Sequence, residues 1–333
     1  MNSNGSKGPI GGKKENVKII ANLCITLRFL FFPATGFSQE VKMPAYFKVD
    51  NQFSDSLSDI VRSVDLDSSF NVGADGIETI SFAVVDLTGD KPVLGGVHYG
   101  SFTYPASVYK MYVAMQVLKE ISDGDYFLTS SYIVKSPNAV DMEKQIEWDP
   151  RPVLRDGDTV TINYLLDLMI TRSDNSAANC LIDVATRDSI NETMHQYGWY
   201  GSEVTRKFLG REYEDSAYKN IRGTQTCALH AADFMYRIYA NQLVNPWVSM
   251  EMKVLLGRQL DTTKISRGLT RNVMFYHKTG WWSYWTNDVG IVDNGRTKYI
   301  ISCFVPVEES RSRAAMKMIS QRVFELIERR HER

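Results

Sequence analysis

Three short strings carry the residue types of a reaction. Ser107-Val108-Tyr109-Lys110 puts a hydroxyl and an amine three residues apart, so on a helix they share a face. A serine hydroxyl is a weak nucleophile until a base takes its proton. Lysine can be that base if burial or a neighbouring cation disfavours its charged form. Ser173-Asp174-Asn175 adds a second hydroxyl and an amide. Lys278-Thr279-Gly280 adds a cation, a third hydroxyl and a residue past which another backbone can run closely. Together they describe acyl transfer through a serine, with no histidine required.

Ser-x-x-Lys occurs twice, since Ser216-Ala217-Tyr218-Lys219 also fits. Context separates the copies. Ser107 follows Tyr104-Pro105-Ala106 and opens an apolar run from Met111 to Leu118, whereas Ser216 sits in a polar, charged stretch. A position near a helix N-terminus would also offer Ser107 free N–H groups for an oxyanion.

The elements that must position these groups are legible as periodicities. Phe53, Leu57, Ile60, Val61 and Val64 recur on one helical face. Residues 80–87 and 92–99 read as strands joined by Thr88-Gly89-Asp90. From about residue 123 to 265 the pattern is helical, with helices expected at 163–170, 177–185 and 228–243. Lys278 opens a β region, and strands at 288–293 and 298–305 flank the hairpin signal Asn294-Gly295. The chain closes on an amphipathic helix carrying Met316, Ile319, Val323 and Leu326. Strands at both ends with helices between predict an α+β fold, an antiparallel sheet flanked by terminal helices plus an all-helical lobe. The expected division is 39–104 and 266–333 for the two parts of the α/β lobe and 105–265 for the helical lobe.

Composition excludes several classes. The chain has 333 residues, 44% hydrophobic and 23% charged, with a net charge of −1. Nothing here suits a nucleic-acid partner. Residues 1–38 read as a secretory leader, with Lys13, Lys14 and Lys18 before a mostly apolar run and Gly36-Phe37-Ser38 for cleavage. A secreted or periplasmic location is therefore expected. Arg28 and Asn22 interrupt that run and argue against a stable membrane span. Cys24, Cys180, Cys227 and Cys303 allow at most one bridge once the leader is gone. The histidines at 98, 195, 230, 277 and 331 lack metal-ligand spacing, so neither a metal nor another cofactor is expected. His277 alternates away from Lys278 along a strand, which suits a structural role.

In order, spacing and flanks, the three strings resemble class A serine β-lactamases and related penicillin-recognising serine hydrolases. The flanks that carry the likeness are Ser173-Asp174-Asn175-Ser176-Ala177-Ala178-Asn179 and Thr286-Asn287-Asp288-Val289-Gly290-Ile291-Val292. The resemblance runs from about Gln52 to the C-terminus and implies a two-lobed fold with the site between lobes. It implies Ser107 as nucleophile, Lys110 as its base and Ser173 as relay of a proton to the leaving nitrogen. Asn175 would bind the substrate amide, and Asp174 would brace the loop. Lys278 and Thr279 would bind a substrate carboxylate beside Gly280. The backbone N–H of Trp281 would join that of Ser107 in an oxyanion hole. Three readings follow: a serine β-lactamase, a D-alanyl-D-alanine peptidase-type hydrolase, and a penicillin-binding sensor that acylates once. The implied partner is a small β-lactam or a peptidoglycan peptide, taken by a monomer.

The chain departs from the family at three points. Class A enzymes use a loop glutamate to activate the deacylating water. Val204-Thr205-Arg206 resembles the start of that loop, but the pattern then fails. Glu212 is the first candidate for that base and Glu214 the second. Trp281-Trp282-Ser283-Tyr284-Trp285 is bulkier than the family's residues there. Strand alternation would put Trp281 and Trp285 on one face, Trp282 and Tyr284 on the other, with one face narrowing the cleft against the substrate's side chain. Asn287 stands where many members carry a carboxylate-binding arginine, for which Arg267 or Arg271 could substitute.

Overall fold

A computed structural model describes residues 41–73, 76–142 and 149–332. The leader expected at 1–38 lies outside the described residues. The described chain runs β1 (Lys48–Val49), α1 (Asn51–Arg62), a ribbon of β2 (Phe70–Asn71) and β3 (Ile77–Glu78), β4 (Ser81–Asp86) and β5 (Val93–Val97). It then leaves the sheet through α2 (Lys110–Asp123), a ribbon of β6 (Ser131–Ile133) and β7 (Thr159–Thr161), α3 (Ile162–Thr171), α4 (Asn175–Ala185), α5 (Arg187–Gln196), α6 (Ala228–Tyr239) and α7 (Pro246–Leu256). It returns as β8 (Met274–Trp282), β9 (Trp285–Asp293), β10 (Lys298–Val305) and α8 (Glu309–His331).

The six-stranded sheet has the order β1-β5-β4-β10-β9-β8, so strands from both chain ends interleave. Every pairing is antiparallel except β1 with β5, which is parallel. That exception departs from the wholly antiparallel expectation. β1 is two residues long, too short to show a strand pattern.

Alternation along the central strands feeds two cores. Phe82 and Val84 of β4, with Ile301 and Cys303 of β10, meet α1 and α8 through Phe53, Leu57, Ile319 and Val323. Ala83 and Val85, with Ile300 and Phe304, face the helical lobe. Each Val, Leu, Ile or Phe among them contributes about 1.5–3 kcal/mol on burial. α2 is buried along its first nine residues, from Lys110 to Leu118, and forms the axis of the helical lobe.

Local chemistry sets the ends. Asp50 caps α1 by accepting from the Phe53 N–H at 3.0 Å. Gly124, at φ +94°, ends α2. Asp174 caps α4, accepting from the Ala177 N–H at 2.8 Å. The helix expected to reach residue 243 stops at Tyr239, because Asn241 turns left-handed (φ +58°) and the Gln242 N–H bonds back to the Arg237 carbonyl at 2.7 Å. No described helix is long and apolar enough to cross a membrane.

Candidate active site

Three elements converge on one cavity of about 830 Å³. Ser107 sits in a 3-10 turn, Ala106–Tyr109, which runs directly into α2, so Lys110 is that helix's first residue. Ala106 adopts φ +46° and Ser173 φ +59°. Such strain costs of order 1–3 kcal/mol per residue and persists only where surroundings hold it. Around Ser173 the holding is visible. Buried Arg172 donates to Asp174 at 2.8 Å and to the carbonyls of Arg151 and Pro152 at 2.9 and 3.0 Å.

Lys110 is fully buried behind the cavity wall. Its ammonium donates to the Ser173 carbonyl at 2.7 Å, to Asn175 Oδ1 at 2.7 Å and to Ser173 Oγ at 3.3 Å. Lys278, equally buried on β8, donates to Ser173 Oγ at 2.9 Å and to the Thr279 carbonyl at 2.8 Å. Two lysines thus converge on one hydroxyl.

Gly280 lets β8 meet the nucleophile's turn. A Cβ there would lie 2.6 Å from the Pro105 carbonyl and 3.0 Å from the Ser107 nitrogen. The register then aims a donor. Ser283 and Tyr284 form a two-residue turn, so Trp282–Trp285 is the hydrogen-bonded pair and Trp281–Thr286 the next, non-bonded one. The Trp281 N–H therefore points away from β9, off the sheet's edge.

Of the residues read from sequence, Ser107, Ser173, Asn175, Thr279, Gly280 and Trp281 line the cavity, with Lys110 and Lys278 beneath. Glu212 is not brought there. It lies exposed in a 3-10 turn, Arg211–Tyr213, outside the cavity lining. Glu214 is buried but pairs with Arg187 and accepts from the Lys207 N–H at 3.2 Å. Burial pushes its carboxyl up, while Arg187 holds that of neighbouring Asp215 below the usual range. Neither glutamate lines the cavity.

Phe208 faces Lys110 instead. Its ring stacks on Tyr109 with centroids 4.9 Å apart, and the Lys110 nitrogen lies 4.1 Å from its centre. Asn179 of α4 fixes this placement by accepting from the Phe208 N–H at 2.7 Å.

The aromatic string also differs from expectation. Strand alternation does not run through 281–285, because the chain turns at Ser283-Tyr284. Trp285 is buried, whereas Trp281 and Trp282 both border the cavity. Asn287 is buried and donates to the Tyr104 carbonyl at 3.1 Å, bracing the nucleophile's turn. Arg267 and Arg271 do not line the cavity, but Lys264 does, flanked by Asp261 and Glu309. Burial opposes ionisation of Asp261, yet Lys264 and Thr263 hold its carboxyl below the usual range. Asp141 was also not foreseen. It lines the cavity and accepts from the Asn175 backbone N–H at 2.7 Å and its Nδ2 at 3.0 Å. His277 bonds Asp288 at 2.8 Å inside the sheet.

Residues 66–327 match the model of the beta-lactamase enzyme family. The chain belongs to that family. It is a β-lactamase-like serine hydrolase with the β-lactamase/transpeptidase-like fold. Among solved structures, a PBP-A mutant in acyl-enzyme complex with penicillin G superposes with a TM-score of 0.69 at 17% identity, covering 86% of this chain and 100% of that one. A β-lactamase from Sphaerobacter thermophilus DSM 20745 gives 0.67 at 19% identity, covering 82% and 97%. An ancestral class A β-lactamase gives 0.65 at 18%, covering 83% and 100%. No curated protein sequence matches the chain.

Proposed function

We propose that β-lactams acylate Ser107 and that the resulting acyl-enzyme is long-lived, as in a penicillin-binding hydrolase. The observation that carries this reading is the Phe208 ring against Lys110. Hydrolysis needs a base beside the acyl-serine, and such a base supplies about 10²–10⁴-fold in rate. Among the described residues lining the cavity, the carboxylates are Asp141, Asp261 and Glu309. Asp141 is engaged by Asn175, and the other two flank Lys264.

In acylation the Ser107 oxygen bonds to the lactam carbonyl carbon. Its proton passes to the unprotonated partner of the Lys110–Ser173–Lys278 group. As the carbon–nitrogen bond breaks, Ser173 Oγ gives a proton to the leaving nitrogen and is resupplied by Lys278. The N–H groups of Ser107 and Trp281 receive the oxyanion, each such donor being worth about 10²–10³-fold. Thr279, backed by Lys278 and Lys264, receives the substrate carboxylate. The same steps would cleave a peptidoglycan D-alanyl-D-alanine peptide. The basic start and apolar run of residues 1–38 support export to the compartment where such substrates occur.

Rapid β-lactam hydrolysis is the second reading, favoured by the family match. Turnover of a chromogenic cephalosporin, with intact mass followed in parallel, separates the two. One equivalent consumed with a persistent adduct on Ser107 is the expected result. Many turnovers without an adduct would establish the lactamase, and neither signal would reject both.

A further inference from the structure

The hairpin tip beside the oxyanion donor carries large apolar groups that are exposed among the described residues. Trp281 is 50% exposed, Trp282 63% and Tyr284 46%. Exposed aromatic clusters of this kind mark binding surfaces. This one is rigidly mounted. Gly280 seats the strand against the Pro105 carbonyl, and Trp285, directly across from Trp282, is buried. The cavity wraps the end of β8, so both indoles border it although they leave the strand on opposite faces. Further along its wall lie Phe208, Leu209 and Val140, all apolar.

Geometry ties this surface to the reacting carbonyl. The Trp281 backbone N–H points off the sheet edge toward the developing oxyanion. A substituent next to that carbonyl is then within reach of the indole on the same residue. We propose that Trp281 and Trp282 form an aryl subsite, selecting substrates whose side chain next to the scissile amide carries an aromatic ring. The proposal rests on the acyl-serine reading above. It adds the class of side chain to it.

Two penicillins differing only in the acyl side chain, phenylacetyl against acetyl, provide the test. The rate constant for labelling Ser107 is measured with each, in the full chain and in Trp281→Ser, Trp282→Ser and the double variant. Aromatic contact at this subsite predicts a preference for phenylacetyl of roughly tenfold. That ratio should fall toward one in the double variant and part-way in each single variant. Binding of phenylacetylglycine, read by ligand-observed NMR, follows the ring without requiring acylation. Both indoles are half exposed, so unchanged melting temperatures are expected. A ratio near one in the unaltered protein, or a ratio unmoved by the double substitution, overturns the subsite. If neither penicillin labels Ser107, the functional reading falls and the NMR decides alone. Signal lost in the double variant then upholds the subsite. Signal absent from the unaltered protein, or retained in the variant, rejects it.

Discussion

The centre of the Phe208 ring lies 4.1 Å from the Lys110 ammonium nitrogen, on a backbone that Asn179 holds in place. An aromatic face stabilises a cation by about 0.5–2 kcal/mol, but it cannot take a proton from water. Phe208→Glu would put a carboxylate beside Lys110 on the same clamped backbone. Deacylation should quicken about 10²–10⁴-fold, read as a shortened adduct lifetime by intact mass. Phe208→Leu, which supplies no base, should leave the lifetime long. Equal lifetimes in the Glu and Leu variants would place the hydrolytic water elsewhere.

The two loop glutamates should respond differently. Glu212 is exposed, so Glu212→Gln should change neither adduct lifetime nor melting temperature. Glu214 is buried against Arg187. Removing one partner of a buried pair costs about 3–5 kcal/mol where the other charge is stranded, and less here, because Arg187 keeps Asp215 at 2.9 Å. Glu214→Gln should therefore lower the thermal midpoint by several degrees. A hydrolytic defect in Glu212→Gln with unchanged stability would restore it as the base.

How much of this was legible beforehand depended on range. Ser107, Lys110, Ser173, Asn175 and Lys278 announce themselves because each stands in a short string whose spacing encodes a local geometry. The amphipathic stripes of α1 and α8 are equally local, as is the hairpin at Asn294-Gly295. Phe208 is different. Nothing in Lys207-Phe208-Leu209 says that the ring meets Lys110, since that contact depends on a clamp from Asn179 on another helix. Lys264 and Asp141 are invisible for the same reason, one a buried lysine and the other a loop carboxylate. Trp285 misled because alternation was carried through a turn that Ser283, at φ +53°, makes without glycine.

Asp141 sets which way the Asn175 amide faces. Its carboxylate accepts from Asn175 Nδ2, which leaves Oδ1 for the Lys110 ammonium at 2.7 Å. Hydrogen bonds to charged groups are worth about 1.5–3 kcal/mol, so Asp141→Ala should slow acylation roughly tenfold to hundredfold. Asp141→Asn, which can still accept from the Asn175 amides, should recover part of the loss. Full acylation rates in Asp141→Ala would show that Lys110 alone orients the amide.

A buried histidine away from the cavity should govern stability in mild acid. His230 bonds Ser202 Oγ through Nδ1 at 2.7 Å, and burial pushes its pKa down to about 4. The unfolded chain takes that proton near pH 6.5, its ordinary value. Between pH 6.5 and about 4 the unfolded state binds more protons, so stability rises with pH across that window. The contribution is complete above pH 6.5. It is lost as pH falls toward 4, by about 3 kcal/mol in all. The raised carboxyl of Glu214 titrates in the opposite sense, so the comparison must be between variants. In denaturant titrations across this range, His230→Gln should be less stable at neutral pH. Its stability should also fall less steeply on acidification than that of the unaltered protein. Parallel pH profiles for the two would assign the acid sensitivity to other groups.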